Sequence, residues 1–489
     1  MSDFRIPKGL LCDISIIALV CIITFAIWYY AGFAKESVFA QERLLAPLLT
    51  MPTFVKQDEN FTIIVQTSST YNLLTISIYN SFAEYQLAPL STTLTEGKMF
   101  ITVHVPKETL PRLYNLSIIL GNKQFTEPHA VKVVTEFPSS FTFIQMTDTH
   151  VSFNSKKTVN INTFRRAIEE SNLINPAFVI ITGDIVDGFT GDNGVAELNL
   201  FRNMLLEFQI PVYVLAGNHD YGYIVSGMTI DDYKNIVNPN LDYSFDYGNY
   251  HFTVLDSGPW TSLLGIPADP PTTEGITDAQ ILWFEDDLKK SENATLRFVA
   301  SHVPVVDAPP YEIMMHNVDK FKELLQKYNI SIHFTGHTHA DAAFNINGKL
   351  LTEGEAMPRP LFLQTGSIAA WGDNTKVYRI FYVNGTNIRY AYDANDNGIP
   401  DAYSSIPVGN LRVTYDYSYI YAPKGVVSNA LNENLTVTLK FKLPADSKNL
   451  TAENGTIISS IKSLNNEYIE VQIMVIVPKK GTLEVKIKS

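Results

Sequence analysis

Polar and apolar positions change rhythm along the chain. From about Met51 to Val134, short alternating runs at 61–65, 74–79, 100–103 and 114–118 are separated by turn-rich stretches at fairly even spacing. Alternation with a period of two puts apolar side chains on one face of a strand, so this region predicts an all-β sandwich of immunoglobulin-like type. From about Ser139 the rhythm becomes strand, loop, helix. Strands are expected at 141–146, 177–182, 212–216, 296–300 and 330–335, helices at 161–173, 195–208, 278–288 and 316–328, and a hairpin across Tyr247-Gly248-Asn249. That alternation predicts an α/β sheet with helices against its faces and ligands at the carboxyl ends of its strands. After Gly336 the pattern returns to β, and a further β unit is expected from about Val408 to Ser489.

One stretch fits neither rhythm. Residues 14–33 carry no charge, with Trp28, Tyr29 and Tyr30 near one end. About 20 apolar residues span a bilayer as a helix, and interfacial aromatics favour that reading. A single-pass anchor is expected, the alternative being a cleaved signal segment and secretion. Eight N-x-[ST] sequons, at Asn60, Asn115, Asn293, Asn329, Asn384, Asn434, Asn449 and Asn454, place the rest outside the cell. The expected organisation is an anchor at 1–35, an immunoglobulin-like β domain at 36–138, an α/β domain at 139–393, and a linker with a C-terminal β domain at 394–489.

The net charge of −13 argues against a nucleic-acid-coating protein, so no nucleic-acid partner is expected. The only cysteines, Cys12 and Cys21, lie just before and within the apolar 14–33 segment, so the folded part has neither a disulfide nor a thiolate metal site. The oligomeric state is left open.

The chemistry concentrates in five motifs, each just past an expected strand. They are Asp148-Thr149-His150, Gly183-Asp184-Ile185-Val186-Asp187, Gly217-Asn218-His219-Asp220, Ser301-His302 and Gly336-His337-Thr338-His339. Five of the ten histidines are here. Imidazole with carboxylate is a common ligand set for divalent metals such as Mn, Fe or Zn. Two close ions need a ligand that touches both, and the Asp184 carboxylate suits that role. Singly, each motif reads as a strand-end turn or a hydrogen-bonded core histidine; in ordered combination they do not.

As a set the motifs resemble those of the calcineurin-like metallophosphoesterases, over about residues 139–393. The resemblance implies a four-layer α/β/β/α domain, here flanked by β-sandwich-like domains, whose two metal ions activate a hydroxide that hydrolyses phosphoesters. It assigns Asp148, His150, Asp184 and His339 to one metal and Asp184, Asn218, His302 and His337 to the other. It makes His219 the group that protonates the leaving oxygen or stabilises its charge. Asp220 is expected to support His219 or the ligands, as is Asp187, with ordinary loop capping as the alternative. The purple acid phosphatases place a tyrosinate ligand just after the shared Gly-Asp pair; Ile185-Val186-Asp187 stands there instead, and His150 supplies a histidine they lack. The resemblance is therefore closer to the branch of cyclic-nucleotide and secreted phosphodiesterases. Loops 151–160, 220–230, 257–276 and 303–315, with Lys156, Lys157, Tyr221, Tyr223, Trp260 and Tyr311, are expected to select the substrate.

A second motif, Asp393-Ala394-Asn395-Asp396-Asn397-Gly398-Ile399-Pro400-Asp401, resembles the calcium loops of dockerin and thrombospondin-type repeats. Asp393, Asn395, Asn397 and Asp401 are candidate calcium ligands, although Ser404 stands where a bidentate Glu would be. The expected function is that of a membrane-anchored, outward-facing phosphoesterase acting on a small phosphoester. The competing readings are a cell-surface binding or scaffold protein with an inactive domain, and an extracellular nuclease.

Overall fold

The computed structural model describes residues 42–71, 74–154, 159–188, 193–222, 227–258, 274–306, 314–369 and 376–489. The apolar 14–33 segment lies outside them, as do Lys156, Lys157, Tyr223, Trp260 and Tyr311. Among the described residues no helix is long and apolar enough to cross a membrane.

Two mixed sheets form the centre. In the first, strands Val212–Leu215, Phe178–Thr182 and Ser140–Met146 run parallel, followed by antiparallel Val377–Asn384 and then Asn387–Arg389. In the second, Tyr250–Val254, Leu296–Ala300, Ile332–Thr335 and Leu361–Gln364 run parallel, with antiparallel Tyr243–Tyr247 and Ala342–Phe344 at the edges. Strands such as Phe178-Val179-Ile180-Ile181-Thr182 are buried along their whole length. That is why they read as continuous apolar runs rather than alternations.

The sheets pack face to face through aromatic side chains. Phe143 stacks on Phe381 of its own sheet at 4.3 Å and meets Phe252 and Phe298 of the other edge-on at 5.4 and 5.7 Å. The outer faces are covered by helices. Val159–Ile174 and Gly194–Leu205 bury Phe164, Ile168, Leu198 and Phe201 against Ile144, Val179 and Val214 of the first sheet. Asp278–Lys290 and Val318–Lys327 bury Phe284, Leu288, Phe321 and Leu325 against Val299 and Phe362 of the second. The result is helix, sheet, sheet, helix.

The N-terminal region is a sandwich of a four-stranded and a five-stranded sheet around a core including Ile63, Ile101, Tyr114 and Ile118. It is sewn to the central unit. The Val214 N–H donates to the Thr50 carbonyl, Tyr213 Oη to the Pro52 carbonyl, and Arg202 pairs with Glu127 at 3.0 Å. Segment 50–52 thus covers the open edge of strand Val212–Leu215, whose unpaired backbone would otherwise invite another strand. The C-terminal region, sheets Leu411–Asp416/Lys424–Asn429/Gly481–Lys488/Thr451–Glu453 and Leu435–Pro444/Tyr468–Val477/Thr456–Lys462, shares a continuous core with helix Val159–Ile174. Glu170 of that helix accepts the Gly409 and Leu411 N–H groups at 2.8 and 3.1 Å. Seven of the eight sequon asparagines are exposed; Asn115 is half-buried.

Candidate metal centre

Every motif residue stands just past the carboxyl end of a parallel strand. Asp148 and His150 follow Ser140–Met146, Asp184 follows Phe178–Thr182, and Asn218 and His219 open the short helical turn Asn218–Tyr221 after Val212–Leu215. These come from the first sheet. His302 follows Leu296–Ala300 and His337 and His339 follow Ile332–Thr335, from the second. The face-to-face packing brings the two sets together.

The backbone bends to do so. Asp148, His150, Asp184, His337 and His339 have φ of 52°, 39°, 50°, 69° and 55°, in the left-handed region that non-glycine residues avoid at a cost of order 1–3 kcal/mol each. Strain of this kind persists where surrounding bonds fix it. The His150 N–H donates to the Asp184 carbonyl, and that of Asp148 to the Gly183 carbonyl, both at 3.0 Å. Close approach demands glycine at two more points. A Cβ on Gly217 would overlap the Asp184 carboxylate, and one on Gly336 the side chains of Thr147 and Asp148.

Ligand atoms gather in two groups that share Asp184. Atoms of Asp148, His150, Asp184 and His339 lie within 4.8 Å of one another, as do those of Asp184, His302 and His337. His150 Nε2 and His339 Nε2 are 3.1 Å apart, and His339 Nε2 is 3.1 Å from Asp148 Oδ1. His302 Nε2 lies 3.2 Å from Asp184 Oδ2. Asn218 Oδ1 meets His337 Nδ1 at 2.9 Å.

The donor chemistry fits cations. His302 Nδ1 is 2.7 Å from the Thr182 carbonyl, which can only accept, so Nδ1 carries a proton and Nε2 is the nitrogen that faces the cluster. Asp148 Oδ2 accepts from Thr147 Oγ1 at 2.7 Å and from the His337 N–H at 3.0 Å, leaving Oδ1 toward His339. Asp148, His150, Asp184 and His302 are at most 1% exposed. Such a packed set of carboxylates and imidazole lone pairs is unfavourable without positive charge. Protons partly supply it here. Burial pulls His302 down, but the charges of Asp184 and Asp148 outweigh it and push His302 up to about 10. Burial pushes Asp184 up, but His302, His219 and His150 hold it well below the usual carboxylate range. Burial also takes His337 down to about 3 and His219 to about 4, leaving both neutral and able to use a lone pair.

His219 sits at the rim. Its Nδ1 donates to the Asp187 carbonyl, its N–H donates to Asp184 Oδ1 at 2.9 Å, and its Nε2 is 3.7 Å from Asp184 Oδ2. Asp187 thus orients His219 through its main chain. Asp220 instead accepts three backbone N–H groups, Gly217 at 2.7 Å, Ile185 at 3.0 Å and Val186 at 3.2 Å. These bonds are those of a clamp between two ligand loops. Thr147 and the Thr182 carbonyl, which aim Asp148 and His302, carry no signal in the sequence, because any residue has a carbonyl and threonine is common in strands. Of the expected specificity residues, Tyr221 is described; it is buried and donates to Asp256.

Comparison with known proteins agrees with the site. Residues 141–341 match the family model described as calcineurin-like phosphoesterase. A probable glycerophosphodiester phosphodiesterase of Arcobacter nitrofigilis is 24% identical over 208 residues, 40% of this chain and 71% of that protein. Purple acid phosphatase 23 of Arabidopsis thaliana is 29% identical over 156 residues, 29% of this chain and 31% of that protein. A probable cyclic nucleotide phosphodiesterase of Xenorhabdus bovienii is 22% identical over 218 residues, 42% of this chain and 81% of that protein. Motifs, strand-end placement and family match coincide on one stretch, and the chain carries a calcineurin-like phosphoesterase domain that makes it a phosphoric ester hydrolase.

Proposed function

We propose that this chain hydrolyses small phosphodiesters or phosphomonoesters with two divalent ions, one held by Asp148, His150, Asp184 and His339 and the other by Asp184, Asn218, His302 and His337. The observation that carries the reading is the pair of ligand groups joined at Asp184. Mn, Fe or Zn bound there would polarise phosphoryl oxygens and acidify a water. The chain's own contribution is placement. Asp184 would bridge the ions. His219, fixed by the Asp187 carbonyl, keeps Nε2 toward the site, where the imidazole would have to take up a proton on Nε2 before handing it to a leaving oxygen. Two relatives named as phosphodiesterases make diesters the first class to test.

The finer parts of the reading are a membrane anchor at 14–33, an outward-facing catalytic unit, and domains at 36–138, 139–393 and 394–489. The exposed sequons support the outward placement. A calcium ion at Asp393, Asn395, Asn397 and Asp401 is supported by their placement in one exposed turn, where Asp393 accepts from the Asn397 and Gly398 N–H groups and Asp401 from the Asn395 amide.

The test is hydrolysis of bis(p-nitrophenyl) phosphate with added Mn²⁺, comparing the wild type with His219→Ala and Asp184→Asn. Turnover that collapses in both variants supports the reading. A wild type that binds no metal overturns it.

A further inference from the structure

A cavity of about 550 Å³ opens where the N-terminal sandwich, the central unit and the C-terminal β region meet, and no residue of the metal centre lines it. Its charged lining is one-sided. Arg112 and Lys132 come from the N-terminal sandwich and Lys440 from the C-terminal region, against the single carboxylate Glu470. Arg112 satisfies that carboxylate at 2.8 Å while its Nε, buried, makes no hydrogen bond. Among the described residues Lys440 Nζ hydrogen-bonds the neutral Gln209 Oε1 at 2.6 Å and is attracted by Glu470, the carboxylate that Arg112 already pairs with. Among the described residues Lys132 has no acceptor or counter-ion. Burial first, then repulsion from Lys440 and Arg112, pushes Lys132 down to about 8; burial does the same to Lys440.

Cations drawn together and partly desolvated with too little opposite charge cost free energy that an anion recovers. The rest of the wall holds further donors: Asn175 has an amide, Asn80 and Gln472 each keep a second amide N–H beside the one given to the Leu113 carbonyl and to Glu470, and Arg112, with Nη1 on Glu470 and Nη2 near Ser459, keeps N–H groups beyond those two bonds. We propose that this cavity is a binding site for a phosphate-class oxyanion, held between Arg112 and Lys132 on one wall and Lys440 on the other. A bound anion then joins the two flanking β regions across the catalytic unit. The site is independent of the metal centre, so it stands whether or not the proposed hydrolysis is correct.

The test titrates the full Mn²⁺-loaded chain with inorganic phosphate by calorimetry, with glycerol 3-phosphate as the ester arm and glycerol as the neutral control. Lys132→Met and Lys440→Gln take one cation from each wall. The expected result is a phosphate-binding event in the wild type that weakens at least tenfold in each variant. Inhibition of bis(p-nitrophenyl) phosphate hydrolysis by phosphate, which reads the metal centre, stays unchanged. Equal binding of glycerol 3-phosphate assigns the site to a phosphorylated molecule, and binding of phosphate alone assigns it to the free anion. Phosphate binding of wild-type strength in either variant, or no event beyond the one that inhibits hydrolysis, overturns the proposal. Lys132→Met removes an uncompensated cation, so its melting temperature without phosphate should equal or exceed that of the wild type and should no longer rise when phosphate is added.

Discussion

His302 gives its Nδ1 proton to the Thr182 carbonyl at 2.7 Å, across the interface between the two central sheets. The last carbonyl of one sheet's strand therefore sets which nitrogen of the other sheet's histidine faces Asp184, where Nε2 stands at 3.2 Å from Oδ2. The cluster of candidate metal ligands is thus a feature of the joint between sheets, and its integrity should track that joint.

Losing the shared carboxylate should cost metal, whereas losing His219 should cost chemistry alone. Asp184→Asn is expected to lower bound metal to about one ion or fewer per chain and abolish turnover. His219→Ala is expected to keep its metal and lose about 10²–10⁴-fold in kcat. Elemental analysis beside a hydrolysis assay separates the two. Equal metal loss in both would show that His219 serves as a ligand.

Gly217 and Gly336 leave no room for a methyl group. Gly217→Ala drives its Cβ into Asp184, and Gly336→Ala into Thr147 and Asp148. Each should destabilise the chain by about 1–3 kcal/mol, as overpacking does, and reduce metal content. Urea unfolding with metal analysis measures both. A Gly336→Ala variant as stable and as metal-rich as the wild type would contradict the close approach.

Removing metal by chelation should lower the melting temperature, because the clustered carboxylates then rely on protons for compensation. Ligand binding to the folded state alone contributes about 2.7 kcal/mol at a concentration 100 times Kd. The downward shift should be absent in Asp184→Asn, whose centre is already impaired. Calorimetric scans with and without chelator decide it.

Stability should depend on pH through His251, far along the chain from the metal ligands. His251 is buried between Asp287 at 2.9 Å and Asp246 at 2.7 Å. Burial pulls it down, but hydrogen bonds to the two carboxylates outweigh burial and push it up to about 9. Its folded value lies above the usual 6.5, so its contribution is full below 6.5 and disappears as pH rises through 9. Burial pushes Asp287 up, but His251 prevails and lowers it below 3.8, so that contribution is present above 3.8 and lost as pH falls below it. Up to about 3 kcal/mol should therefore be lost between pH 6.5 and 9. Unfolding free energies across that range should flatten in His251→Gln, and an unchanged slope would assign the effect elsewhere.

Arg379 is fully buried and bonds to Asp341 at 2.9 Å, to Thr365 and to several carbonyls, among them Tyr390 and Tyr403. Asp341→Ala leaves that charge without its carboxylate and should cost about 3–5 kcal/mol. Denaturant unfolding reads it directly, and a loss under 1 kcal/mol would mean the carbonyls suffice.

The parts legible in the sequence are those fixed over a few residues. Alternation located strands 60–66, 74–79 and 113–120, and buried runs located the parallel strands. The motifs stood at strand ends, as expected from their turns. Strand Pro89–Thr95 escaped notice because every residue in it is exposed, so no apolar period marks it. Asp220 was named for its position beside His219, and only its three backbone donors show what its carboxylate holds.

By itself the sequence determined the elements, the ligand residue types and their order, because periodicity, turn chemistry and side-chain donors are local properties. The tertiary structure decided which residues meet. Two separately wound sheets put Asp184 and His302 together only because Phe143, Phe252 and Phe298 interlock between them. The cavity of Arg112, Lys132 and Lys440 joins residues more than 300 positions apart along the chain. Such contacts depend on how large buried faces fit one another over long separations in sequence, and no local pattern encodes that fit.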